Sequence, residues 1–113
     1  EGSVSAIPAA EALALADLIT PVADGIASRV LAKAAGGTVT LFAFDRGQGL
    51  SEHTTPFDAL VLVLDGELRL DVGGAAVVAA PGTVVRLPAS VPHAVEARQA
   101  SRMLLLMLKD ARP

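Results

Sequence analysis

The sequence predicts an all-β fold of short antiparallel strands, and three features point to it. From Ser28 onward the apolar residues fall in short runs rich in Val and Leu, divided by Gly, Pro or Asp. One run alternates throughout, with Leu68, Leu70 and Val72 facing one way and Glu67, Arg69 and Asp71 the other. The spacers are turn signals, too short to hold a helical crossover: Asp65–Gly66 and Gly73–Gly74 are dipeptides of the kind that close hairpins, and Pro81–Gly82 is a further turn. Strands spaced about eight to twelve residues apart with such turns build an antiparallel sandwich or barrel.

Taken in order, the chain opens differently from the way it continues. After Pro8 the stretch AAEALALADLI, residues 9–19, is rich in Ala and Leu and has no β-branched residue before Ile19. This composition predicts a short helix ending before Pro21. The strand-like runs then follow as SRVLAK (28–33), GTVTLFAFDR (37–46), DALVLVLD (58–65), GELRLDVGG (66–74), AAVVAA (75–80), GTVVRLP (82–88), HAVEAR (93–98) and RMLLLMLKD (102–110). No linker, low-complexity stretch or clear internal repeat divides them. The expectation is one domain over 1–113, with an N-terminal helical or extended segment over 1–27 and the barrel over 28–109.

At 113 residues such a domain buries roughly two thirds of the surface its unfolded chain exposes. Hydrophobic residues make up 52% of it, which calls for a generous core, a subunit interface, or both. Phe42, Phe44 and Phe57 are the only aromatic residues of the Phe, Tyr and Trp class, so stacking platforms for bases are nearly absent. A net charge of -3 without any Lys/Arg cluster in sequence argues against a nucleic-acid partner. The absence of cysteine excludes a disulfide framework, a thiolate metal site and a Cys nucleophile. Residues 9–19 are interrupted by Glu11 and Asp17 and follow no basic segment, which makes a poor signal peptide. Met103–Leu108 is far shorter than the ~20 residues that span a bilayer, so no membrane partner is expected. A cytoplasmic location is the expectation.

The only two histidines sit in two related stretches. GQGLSEHTTPFDALVLVLDG runs from Gly47 to Gly66, and GAAVVAAPGTVVRLPASVPH from Gly74 to His93. In this layout the chain resembles the cupins, small barrels with two conserved motifs. The first family motif has a Gly, a His-x-His pair, a Glu and a closing Gly; Gly47 or Gly49 opens it here, His53 matches the first His and Gly66 closes it. The second has a Gly, a Pro-x-Gly and a His; Gly74, Pro88 and His93 match. The resemblance covers about Gly37 to Leu108. It implies a double-stranded β-helix, or jelly-roll barrel, and metal-binding members present three His and one Glu. Thr55 stands at the second His, Ala59 at the usual Glu with Asp58 beside it, and Ser90 replaces the Gly before the His of motif two.

Three replacements for the lost ligands are open. A bulge at Thr55–Phe57, where Pro56 cannot donate a ladder hydrogen bond, would turn Asp58 toward His53 and His93. That makes a two-His, one-carboxylate set of the kind suited to Fe(II) or Mn(II). Glu52 is an alternative carboxylate and Gln48 a neutral donor. The resemblance thus implies a divalent metal (Fe, Mn, Zn or Ni) serving an oxygenase- or isomerase-type enzyme on a small acid or carbonyl compound. Against it stands a metal-free binding or sensing module whose pocket is marked by His53, Thr55 and His93 and takes a small-molecule ligand. Each histidine can also simply satisfy a nearby carbonyl. A homodimer is expected from the family, with Met103–Leu108 and the N-terminal Ala/Leu segment as its interface. Arg69 and Arg86 fall on the polar side of their strands and read as solvated, with the alternative that an arginine at the barrel mouth holds a ligand carboxylate.

Overall fold

The computed structural model describes residues 7–109. Nine strands follow in chain order: β1 (Ile26–Ala34), β2 (Gly37–Phe44), β3 (Gly49–His53), β4 (Asp58–Asp65), β5 (Leu68–Val72), β6 (Ala75–Ala79), β7 (Val84–Leu87), β8 (His93–Ala97) and β9 (Ser101–Leu108). They form a five-stranded sheet of order β1-β2-β9-β4-β7 and a four-stranded sheet of order β3-β8-β5-β6, and every pair is antiparallel. After β2 the chain passes back and forth between the sheets, interrupted only by the β5–β6 hairpin. This is the winding of a jelly roll.

Gly73–Gly74 closes the β5–β6 hairpin with both φ angles positive, as a two-residue primed turn requires. Asp65–Gly66 does not close a hairpin. It carries the chain from β4 in one sheet to β5 in the other. Gly66 has φ 81°, and a Cβ there would run into Ser101 Oγ and the Ala100 carbonyl. The Ser101 hydroxyl is already engaged, accepting the Glu67 N–H at 2.9 Å and donating to the Gln99 carbonyl at 2.7 Å. The β1–β2 hairpin turns at residues 35–36, pairing Ala34 with Gly37.

The core lies between the sheets. Phe44, Val61, Val63, Leu68, Leu70 and Met103 are each at most 2% exposed there. Their positions obey the two-residue strand period: Ala59, Val61 and Val63 point inward from β4, leaving Leu60, Leu62 and Leu64 outward. β4 is thus apolar on both faces, and part of the outer face has a use. Leu31, Leu41 and Ala43 form a second cluster outside the five-stranded sheet with Ile19, flanked by Ile7, Leu18, Val39, Leu64 and Leu104. Met103 and Met107 share the inner face of β9 through their partners Val63 and Ala59.

The N-terminal helix expected over 9–19 is not formed. A single 3-10 turn at Leu15–Asp17 stands in its place, and Ala10 sits in the left-handed region at φ 60°. The segment is tied to β1 at both ends. The Ile7 N–H donates to the Leu31 carbonyl at 3.1 Å, and Arg29 Nη1 donates to the Leu18 carbonyl at 3.1 Å. An isolated helix of this length is costly to nucleate, and with Ile19 the segment's one buried residue, packing supplies little to offset that cost. Among the described residues no helix is long and apolar enough to cross a membrane.

Candidate functional site

The two histidines meet on the inner face of the four-stranded sheet, where β3 ends and β8 begins. His93 opens β8, flanked in register by His53 on β3 and Val72 on β5. The next inward row is Leu50, Val95 and Leu70. Leu50 and His53 are three residues apart, so a regular strand would send them to opposite faces. A bulge between them, with Ser51 and Glu52 opposite Ala94, restores the parity and places His53 beside His93. The expected bulge at Thr55–Phe57 is therefore misplaced: the irregularity lies earlier, and it aims the histidine rather than the carboxylate.

The imidazoles stand edge to face, with ring centroids 4.4 Å apart and planes at 71°. His93 is buried, 5% exposed, whereas His53 is open to solvent. Each ring is held by the carbonyl two residues before it: His53 Nδ1 lies 2.7 Å from Ser51 O and His93 Nδ1 3.1 Å from Val91 O. A carbonyl only accepts, so each Nδ1 carries its hydrogen and each Nε2 is an acceptor in the neutral ring. Among the described residues the only sealed side-chain nitrogen or oxygen without a partner is Arg102 Nε. His93 Nε2 bonds to no protein group among the described residues and is not sealed from the surface.

The other candidates are not brought to this pair. After His53 the chain leaves the four-stranded sheet through Thr54–Phe57 and enters the five-stranded one at Asp58. Asp58 lies on the face of β4 opposite Ala59, Val61 and Val63, outside the core. Its carboxylate accepts the Ala89 N–H at 2.7 Å and Arg86 Nη1 at 2.9 Å. Glu52 is exposed within the bulge. Gln48 lies beyond the far end of β3, with its carbonyl accepting the Ala97 N–H at 2.8 Å. The Thr55 hydroxyl donates to the Phe57 carbonyl at 2.9 Å, a turn contact within its own loop.

Ala59, where the family's Glu would stand, is 2% exposed among core residues, between Met107 and Leu87 in register. A catalytic metal is typically held by three protein ligands. Among the described residues no group of three or more His, Asp or Glu side chains is placed to hold a metal ion. The residues present supply two imidazoles and do not fit a divalent catalytic centre.

The Val/Leu lining expected of the barrel is present between the sheets. Phe42, Leu50, Val72, Val85 and Leu105 pack half-buried against the core. Their inward parity was legible, but which of them stay partly open depends on how the two sheets overlap.

Comparison with known proteins agrees with this architecture. The family model described as a cupin domain matches residues 40–109. The chain belongs to the cupin family. Similar solved structures include a conserved protein of unknown function from Streptococcus pyogenes, 31% identical over 94% of this chain and 93% of its own, with a TM-score of 0.88. A cupin superfamily protein from Desulfitobacterium hafniense is 30% identical over 92% and 95%, with a TM-score of 0.86. A cupin 2 conserved barrel domain protein from Leptotrichia buccalis is 36% identical over 83% of this chain and 46% of its own, with a TM-score of 0.79. No curated protein matches the chain.

In this cupin the second motif keeps its turn without its glycine. The Val91 N–H reaches the Pro88 carbonyl at 3.3 Å, and Ser90, between them, has φ 64°. That is the third position of a type II turn, which favours Gly. The Ser90 N–H is held by the Thr55 carbonyl at 2.7 Å, joining the two motif loops beside the histidines.

Proposed function

We propose that this cupin is a metal-free binding module for a small molecule, with the His53–His93 pair as its polar anchor. One observation carries the reading. Both Nδ1 atoms are committed to carbonyls, which leaves two neighbouring Nε2 acceptors and no third metal-ligating side chain among the described residues. Two such acceptors suit a hydroxyl or amide hydrogen of a small organic compound, and Val72, in register with His93, and Leu50, in the next inward row, offer apolar contact to its body. Hydrogen bonding to two neighbouring acceptors is a recognition function, and recognition is the reading proposed.

Untagged protein tests this directly, by metal analysis and by amide NMR titration with hexanamide and hexanol. Saturable shifts at His53, Val72 and His93, with metal well below one per chain, are expected. A stoichiometric divalent ion that is lost in His93→Ala would overturn the reading in favour of a metal-dependent enzyme.

A further inference from the structure

A second site lies on the opposite, solvent-facing side of the four-stranded sheet. A cleft of about 370 Å³ there is lined by Arg46, Gly47, Arg69, Glu96, Ala97 and Arg98. The chain as a whole carries a net charge of -3 and only nine Lys and Arg residues, yet three of its arginines converge on this one opening. They come from separate parts of the fold. Arg46 sits in the loop between β2 and β3, Arg69 on β5, and Arg98 just past β8.

The backbone beneath them is held. Asp45 clamps the first loop by accepting the N–H groups of Asp24 at 2.7 Å and Arg46 at 2.8 Å. The Gly47 N–H donates to the Ala97 carbonyl at 2.8 Å, and the Arg98 N–H to the Glu67 carbonyl at 2.9 Å. Gly47 adds room: a Cβ built there meets nothing within 4 Å.

The guanidiniums are far from saturated. Each offers five donors. Arg69 gives one to Asp71 at 3.3 Å, and Arg98 stands 4.0 Å from Glu67. Arg46 makes no ion pair among the described residues. Glu96 is the register partner of Arg69, but Arg69 turns to Asp71 rather than to it. Glu96 is the one carboxylate lining the cleft itself, and Asp71 and Glu67, at its margin, engage Arg69 and Arg98 only in part, which leaves most guanidinium donors open. Guanidinium forks match the oxygens of phosphate and carboxylate groups, where paired hydrogen bonds add to charge.

We propose that this cleft binds a small oxyanion, the phosphate or carboxylate group of a metabolite, at a site separate from the histidine pair. Arg46 and Arg98 hold the anion from the two loops and Arg69 from the strand. Glu96 opposes a second negative charge at the same place.

Amide NMR titration of the whole chain with inorganic phosphate, and separately with succinate, tests this at low ionic strength. Saturable shifts at Arg46, Gly47 and Arg98 are expected, with the histidine amides unmoved. Loss of one charge-assisted hydrogen bond weakens binding about tenfold, so Arg46→Gln and Arg98→Gln each lower the affinity by about that factor. Glu96→Gln tightens it, and Arg86→Gln, on the other sheet, leaves it unchanged. A response to phosphate alone names a phosphate ester as the ligand class, and a response to succinate alone a carboxylate; either supports the site. No saturable response to either anion, or equal losses in Arg46→Gln and Arg86→Gln, would overturn it.

Discussion

His53 and His93 face each other across the β3–β8 ladder because β3 carries a bulge between Leu50 and His53. The pair consists of one buried and one exposed ring, and the two make different demands. His53→Ala removes a solvent-exposed side chain and changes stability by no more than about 0.5 kcal/mol. His93→Ala vacates a buried site and costs about 1–3 kcal/mol. Both abolish the hexanol response. Chemical denaturation beside the NMR titration separates the two effects: loss of binding in His93→Ala alone would make the site structural rather than a shared anchor.

The proposed metal-free reading predicts no response to metal removal. With two imidazoles and no carboxylate at the site, dialysis against EDTA leaves the thermal midpoint unchanged, and re-adding zinc or iron does not raise it. A ligand that binds only the folded state raises the midpoint in proportion to its saturation, so a clear rise with any one ion contradicts the reading.

Asp58 holds the second motif loop through the Ala89 N–H and Arg86. Asp58→Ala removes both the Ala89 N–H acceptor and the partner of Arg86, at a cost of about 1–2 kcal/mol. Asp58→Asn keeps an acceptor for the Ala89 N–H and costs about 0–1 kcal/mol. Neither alters ligand affinity. Urea unfolding of the two variants measures the difference, and an Asp58→Asn protein that loses ligand binding would return Asp58 to the site.

Two turn positions respond in opposite directions. Ser90→Gly relieves a left-handed serine, whose backbone penalty exceeds the extra unfolded-state freedom of glycine, for a gain of about 0.5–1 kcal/mol. Gly66→Ala sets a methyl against Ser101 Oγ and the Ala100 carbonyl at φ 81°, and costs about 2–4 kcal/mol. Thermal and urea unfolding check both signs.

The clamp at Asp45 depends on pH. Hydrogen bonds from the Asp24 and then the Arg46 backbone N–H groups hold its carboxyl below the ordinary aspartate value of 3.8. A depressed folded-state value means the unfolded chain takes up the proton first. The stabilisation is therefore complete above that ordinary value and fades as pH falls through the lower one. Carbon-detected NMR titration of the Asp45 carboxyl reads it directly. Asp45→Asn moves the midpoint of acid unfolding upward if the clamp contributes, whereas an Asp45 titrating at or above 3.8 contradicts it.

The inward parity of Leu68, Leu70 and Val72 was legible in the alternation of β5, and the Gly73–Gly74 turn in its two adjacent glycines. β3 was passed over as a separate strand because GLSEH has no alternation to read, its bulge having scrambled the period. The helix over 9–19 failed for the opposite reason: its local preference was readable, but the tethers at Ile7 and Leu18 were not. Asp65–Gly66 looked like a hairpin because turn residues report a change of direction, not which sheet the chain enters next.

By itself, then, the sequence determined the fold class and the family's two-motif frame, since these follow from residue types and spacings along the chain. Only the tertiary structure decided that His53 turns inward, that Asp58 turns out to Arg86, and that Arg46, Arg69 and Arg98 share one cleft. Each of these depends on register between strands distant in sequence. A single added residue reverses a side chain's face, and no composition or local period records where that residue falls.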